Sequence, residues 1–227
     1  MFDINKWQAL LDIAVWLQLG TAFLETIYML VLSGIFTVIL GTPLGILLVL
    51  TDKGQLLENK VVNIITSIIV NVFRSIPFII LMVLLLPFTR WIIGTPIGST
   101  AAIVPLIVGA APFFARLVET SLREVNKGVV EAAISMGANV SQIVRKVYLP
   151  EALPSIVSGI TVTLIALISY SAMAGLLGGG GLGNYAIIYG YQLFNTPIML
   201  VTTAVILILV ILVQIFGDSL SKKLDKK

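Results

Sequence analysis

The sequence predicts an all-α polytopic membrane protein with five membrane-spanning helices and one helical cytoplasmic loop. Of its 227 residues, 58% are hydrophobic and 11% charged, with a mean hydropathy of +1.08; an ordinary soluble domain is roughly 45–50% apolar and about 25% charged. Apolar runs of the length needed to cross a bilayer as a helix, about 20 residues, recur along the chain. The main departure from them, between the third and fourth runs, is charged yet rich in helix-forming residues.

In chain order the spans fall over residues 19–50, 61–86, 101–118, 154–177 and 197–216, within a single transmembrane domain over 1–227. An odd number puts the two ends on opposite sides. The opening MFDINKWQALLDIAVW carries Asp3, Lys6 and Asp12 among apolar residues and lacks the basic start and cleavage site of a signal peptide, so it reads as an interfacial stretch. In the first span, Pro43 removes a backbone donor and predicts a kink. Gly41 and Gly45 form a GxxxG spacing that permits close helix approach; packing is the plain reading of this group and a hinge the alternative.

The second span opens with Asn63, Thr66, Ser67, Asn71 and Arg74, which fall on one face of a helix of 3.6 residues per turn. Lipid penalises that face, and a charge at mid-bilayer costs at least about 2.5–3.5 kcal/mol. It should point into the bundle, a dimer interface or a wet pathway, and Ser75 and Pro77 should break the helix locally. Near the outer end of the fourth span, Tyr170, Ser171 and Met173 precede the glycine-rich stretch 175–183.

Orientation follows from Lys and Arg, which are in excess in cytoplasmic segments near span ends. With the N-terminus outside, the inner segments hold Lys53, Lys60, Arg116, Arg123, Lys127, Arg145, Lys146, Lys222, Lys223, Lys226 and Lys227; the outer ones hold Lys6 and Arg90. Eleven against two, with Arg74 inside a span, accounts for all fourteen. The C-terminus and the charged loop are therefore expected in the cytoplasm.

That loop, residues 116–151, is long for a connection with no role. Asn126-Lys127-Gly128 reads as a turn, residues 129–136 as a helix, and Gly137 as the residue past its end, where a left-handed conformation costs glycine nothing. Asn139 then caps a second helix, Gln142 returns the bond in a capping box, and Pro150 is expected to stop it. On this helix Val140, Ile143, Val144 and Val147 lie at helical spacing opposite Gln142, Arg145 and Lys146. Such an apolar face suits either lipid headgroups or a partner protein.

Several function classes are excluded. There is no Cys and no His, which removes disulfides, thiolate chemistry, the commonest general base and the usual soft-metal ligands. A net charge of +3, scattered along the chain, is no nucleic-acid footprint. Residues 178–183, GGGGLG, match GxGxxG but follow a span with no strand before them and no acidic residue at the required distance; they read as a flexible connection. No phosphate-binding GxxxxGK[ST] loop occurs, so the chain is not expected to hydrolyse ATP.

Glu131-Ala132-Ala133, then Gly137, then Val147-Tyr148-Leu149-Pro150 resembles the EAA signature of ABC-importer permeases, EAA-x3-G-x9-I-x-LP, with Val147 in place of Ile. NVFRSIPFIILMVLLLPFTR, IVPLIVGAAPFFARLVE, QIVRKVYLPEALP and YSAMAGLLGGGGLG extend the likeness over essentially the whole chain, towards permeases of methionine uptake transporters. The glycine run is longer here and the N-terminal stretch extended. This resemblance implies a five-span permease acting as a homodimer in the bacterial inner membrane, with a cytoplasmic coupling helix in which Glu131, Ala132, Ala133, Gly137, Asn139, Gln142, Arg145, Leu149 and Pro150 contact the ATPase. It further implies two ATPase subunits that bind ATP and Mg, an external binding protein, and a substrate such as L- or D-methionine or a similar small amino acid. No catalytic or metal site is expected in the chain itself.

For the substrate pathway the candidates are Asn71, Arg74, Ser75, Tyr170, Ser171 and Met173. Arg74 suits the carboxylate of an amino acid or a gate; alternatively it snorkels to the cytoplasm or pairs with Glu119. Met173 suits packing or an apolar ligand. Two other classes stand beside this reading. An ion-coupled carrier would need intramembrane carboxylates or an inverted repeat, and the spans offer only Glu25 and Glu119; a structural scaffold would leave the EAA spacing without a cause.

Overall fold

A computed structural model describes Trp7 and residues 12–225. Most of the predicted interfacial stretch, with Asp3 and Lys6, lies outside the described residues, as do Lys226 and Lys227. Among the described residues the chain is all-helical, with no strand. The helices are α1 Ile13–Leu50, α2 Lys60–Ser75, α3 Phe78–Ile93, α4 Ser99–Arg123, α5 Lys127–Ser135, α6 Val140–Ile143, α7 Leu149–Leu176, α8 Gly181–Tyr185 and α9 Thr196–Leu224. π-helical turns at Val144–Tyr148 and Ala186–Gln192 follow α6 and α8.

Four stretches are long and apolar enough to cross a membrane: Ile13–Leu50, Ser99–Arg123, Val140–Leu176 and Thr196–Leu224; α2 and α3 make a fifth if the bent pair counts as one span. The break expected at Ser75 and Pro77 is present, and it divides the second span, 61–86, into two helices of which the second runs on to Ile93. Pro77 is extended (φ −55°, ψ 133°), the residue before a proline avoids the α region, and the Ser75 hydroxyl donates back to the Asn71 carbonyl at 2.8 Å. Pro43, by contrast, lies within α1, which runs on to Leu50.

The loop helices also differ from expectation at both ends. Asn126 is not in a free turn: it caps α5, accepting from the Gly128 N–H at 2.8 Å. Nor does Pro150 stop the second helix. The π-helical turn closes with the Leu149 N–H donating to the Val144 carbonyl, and α7 begins at once. A proline near the start of a helix forfeits little, and the wider turn ahead of it eases the clash with the preceding turn that an α-helical interior imposes.

The chain divides into two compact units. The first comprises Met1–Ile35, Ile76–Gly109 and Leu164–Val213. In it Tyr170 stacks on Phe78 with centroids 4.5 Å apart and planes 6° from parallel. The second comprises Phe36–Ser75, Ala110–Thr163 and Gln214–Lys227. There Gly41 and Gly45 of α1 meet α4 so closely that added Cβ atoms would lie 2.8 Å from the Ala111 carbonyl oxygen and 2.6 Å from that of Ala115. This is the packing role of the GxxxG spacing. Asn63, the first polar residue of α2, donates to the Leu48 carbonyl at 2.9 Å and to Thr51 Oγ1 at 3.1 Å, and Thr66 is buried beside Val70.

Candidate functional site: the cytoplasmic loop

The loop is anchored by one apolar side. Val130 and Ala133 of α5, Ile143 of α6, and Tyr148 join a core with Val49, Leu50, Phe114, Val118, Leu122, Ala152 and Ile156, and Val140, Val144 and Val147 pack against it. The amphipathic stripe of the second helix therefore faces the chain's own core, not headgroups or a partner. Aliphatic residues at helical spacing could satisfy any of these, which is why periodicity did not choose among them.

The opposite side is what the loop presents. Glu131, Ala132, Met136, Gly137, Asn139, Gln142 and Arg145 are exposed, and Leu149 is half-buried beside exposed Pro150. Only Ala133 of the EAA triplet is buried. Met136, 81% exposed, closes α5; sequence reasoning passed over it as one more residue between Ala133 and Gly137. Gly137 has φ +77° and nothing within 4 Å of an added Cβ. The capping box beyond it is complete: the Gln142 N–H donates to Asn139 Oδ1 and the Asn139 N–H to Gln142 Oε1, both at 2.9 Å. A left-handed glycine followed by a reciprocal cap fixes the angle between α5 and α6 without using a side chain on the exposed face. Beside α5 lies a groove of about 500 Å³ lined by residues that include Gln55, Arg123, Lys127, Glu131, Ile134 and Tyr148.

An ion-pair network stands behind the loop. Buried Glu119 accepts from Arg116 through Oε2 and from Arg123 through Oε1. Arg116 also reaches Asn71 Oδ1 of α2 at 2.9 Å, and Arg123 reaches Asp52 at 2.8 Å. Of the alternatives for Arg74, the pair with Glu119 is not formed: both oxygens of Glu119 are taken by arginines on its own helix. The Arg123 guanidinium and the Lys53 backbone N–H hold the Asp52 carboxyl below the usual carboxylate range. The sequence carried one signal for this network, an acidic residue within an apolar run, and polar groups at such positions demand partners.

The pathway candidates divide between the units. In the second, Asn71 is tied to Arg116, Ser75 back-bonds its own helix, and Arg74 is exposed with no hydrogen bond or ion pair among the described residues. In the first, Tyr170 is packed on Phe78, Ser171 is buried and donates to the Ile168 carbonyl at 2.8 Å, and Met173 is 43% exposed.

Residues 41–227 match the family described as binding-protein-dependent transport system inner membrane component. The chain belongs to that family. This permease is 50% identical over 213 residues to the probable D-methionine transport system permease protein MetI of Pasteurella multocida, covering 94% of its own chain and 98% of that protein. It is 52% identical over 210 residues to the methionine import system permease protein MetP of Bacillus subtilis, covering 92% and 95%. Its structure is similar to a chain of the MetNI methionine ABC transporter in inward facing conformations, with a TM-score of 0.93 at 48% identity, covering 95% of this chain and 100% of that one. A chain of an amino acid ABC transporter shares the fold at TM-score 0.78 and 17% identity. The permease is a multi-pass inner-membrane transport subunit of an ABC importer, not an enzyme, and works with a separate ATPase.

Proposed function

We propose that the permease carries methionine, L or D, or a similar small amino acid, by alternating access as a pair of identical copies. Two ATPase subunits close on ATP and Mg and move the pair through the exposed side of α5 and α6, while an external binding protein delivers substrate. The N-terminus is outside and the C-terminus cytoplasmic, as the Lys and Arg distribution favours. The substrate assignment draws on relatives about half identical and named for methionine.

The observation that carries the coupling role is the two-sidedness of the loop. One side is fixed in a core shared with α1, α4 and α7, so force on the other, at Glu131, Ala132, Gly137, Asn139, Gln142 and Arg145, passes to three membrane helices; Ala133, Leu149 and Pro150 hold the shape. Asn71, Arg74 and Ser75 are exposed in the single chain, a position lipid penalises, and this supports a second copy or a wet pathway on that face. Tyr170, Ser171 and Met173 are the proposed lining in the other unit.

The deciding experiment is native mass spectrometry of the permease purified in mild detergent with its bound proteins, followed by uptake of labelled methionine into vesicles. Two copies with two ATPases, and uptake that requires ATP and the binding protein, are expected. Uptake by this chain alone without ATP would replace the reading with a secondary carrier.

A further inference from the structure

The glycine stretch 178–183 is clasped by adjacent side chains of α1. The Gly181 N–H donates to Glu25 Oε2 at 2.7 Å, and the next donor, the Leu182 N–H, reaches Thr26 Oγ1 at 2.8 Å. Thr26 is buried, and its hydroxyl proton goes to the Ala22 carbonyl at 3.0 Å, so its oxygen is left facing Leu182 as an acceptor. A third tie follows one turn on, where the Tyr185 hydroxyl donates to the Val15 carbonyl at 3.2 Å.

The glycines are matched to this clasp. Gly180 and Gly181 have φ +73° and +77°, a region closed to most side chains. A Cβ on Gly180 would stand 2.6 Å from Glu25 Oε2, and one on Gly181 2.7 Å from Thr26 Oγ1. Two glycines in sequence therefore serve both the turn and the approach of its two acceptors. Among the described residues Glu25 has no cationic partner; its recorded bond is to the turn.

We infer that Glu25 and Thr26 are positioning residues that hold the glycine turn, and α8 after it, to α1 as one body, and that substrate uptake depends on this attachment. Glycine chains lose more conformational freedom on ordering than any other; backbone bonds tie the stretch before Gly180, from the Gly179 N–H to the Ala174 carbonyl and from the Gly98 N–H to the Gly178 carbonyl, both at 2.9 Å, and from Gly181 on the turn is held by the Glu25 and Thr26 acceptors. An open pocket of about 250 Å³ lies beside the clasp, lined by residues that include Gln18, Glu25, Asn184 and Tyr189, so the wall of that pocket moves if the turn is released. The dependence of uptake rests on the function proposed above; the clasp does not.

Hydrogen exchange of peptides covering residues 178–185, in the assembled transporter, tests the clasp independently of transport. Glu25→Ala and Thr26→Val are expected to speed exchange at Gly181 and Leu182 at least tenfold, while Glu25→Gln, whose amide oxygen can accept the same bond, stays near the wild-type rate. In vesicles supplied with methionine-loaded binding protein, Glu25→Ala is expected to lower uptake several-fold with ATPase activity in the absence of binding protein unchanged, and Glu25→Gln to recover most of it. Unchanged exchange in both Glu25→Ala and Thr26→Val overturns the clasp. Faster exchange with full uptake overturns the positioning role. Wild-type vesicles that take up no methionine would count against the proposed substrate alone, since exchange still decides the clasp.

Discussion

Arg123 Nη2 donates to Glu119 Oε1 across one turn of α4, at 2.9 Å. That bond and the Arg116 contact make a buried carboxylate the organiser of two cations that reach different parts of the chain, Asn71 on α2 and Asp52 after α1. Breaking a buried pair by removing one partner costs about 3–5 kcal/mol, but the arginines are a third or more exposed, so water screens part of the loss. Glu119→Ala should therefore destabilise the detergent-purified transporter by about 2 kcal/mol, read as a lower Tm at fixed scan rate, and Glu119→Gln by less. An unchanged Tm in Glu119→Ala would show that the network does not hold α4 to its neighbours.

Asp52 gives the network a pH dependence of definite sign. Its folded-state carboxyl titrates below its ordinary value because of Arg123 first and the Lys53 N–H second. A group of this kind stabilises fully above the unfolded pKa, about 3.9 for Asp, and loses its contribution as pH falls through the lower folded value. Asp52→Asn should cost under about 1 kcal/mol at pH 7, the scale of a partly exposed pair, and the gap between wild type and variant should close in strong acid. A gap that widened on acidification would contradict the sign.

Gly137 separates backbone conformation from docking. With no atom within 4 Å of an added Cβ, a side chain here starts into open space, and the strain at its root comes from φ +77°, which costs a non-glycine residue roughly 1–2 kcal/mol. Asparagine tolerates that conformation better than most. Gly137→Asn should keep most uptake, whereas Gly137→Trp should lose uptake and substrate-stimulated ATPase activity while still inserting in the membrane. Full transport by a correctly assembled Gly137→Trp complex would remove the loop surface from the coupling mechanism.

Arg74→Gln addresses the pathway. It should reduce uptake several-fold through a raised KM for loaded binding protein. Unchanged affinity and transport would strike Arg74 from the substrate-contacting set and leave it as a charge seated at an interface.

Short-range physics was legible in the sequence and long-range pairing was not. The Asn139–Gln142 box and the left-handed Gly137 follow from residues three or fewer apart, and both stand as read. Apolar length located the spans, and Ser75 and Pro77 the break between α2 and α3, but a local break reads the same in the sequence whether the chain kinks or starts a new helix. Pro150 was misread for a related reason: a local rule for helix ends knows nothing of the π-helical turn that accommodates it. The partners of Glu25 and Glu119 differ in the same way. Those of Glu119 are three and four residues away, within reach of a helical wheel, whereas Gly181 is 156 residues from Glu25, and no periodicity encodes that meeting.

The approach of Gly41 and Gly45 to the Ala111 and Ala115 carbonyls brings glycine Cα–H groups against acceptors in a medium without water. Contacts of that kind are worth about 0.5–1 kcal/mol each, and they supply adhesion where lipid gives helices no hydrophobic reason to associate. The glycines also stand against side chains of α4, since added Cβ atoms would lie 2.9 Å from Phe114 Cδ1 and 2.7 Å from Val118 Cβ. Register between α1 and α4 is therefore a matter of side chains meeting bare backbone here and, further along, of Leu48 packed with Val70 and Ala115 and of Val49 packed in the cluster of Phe114 and Val118.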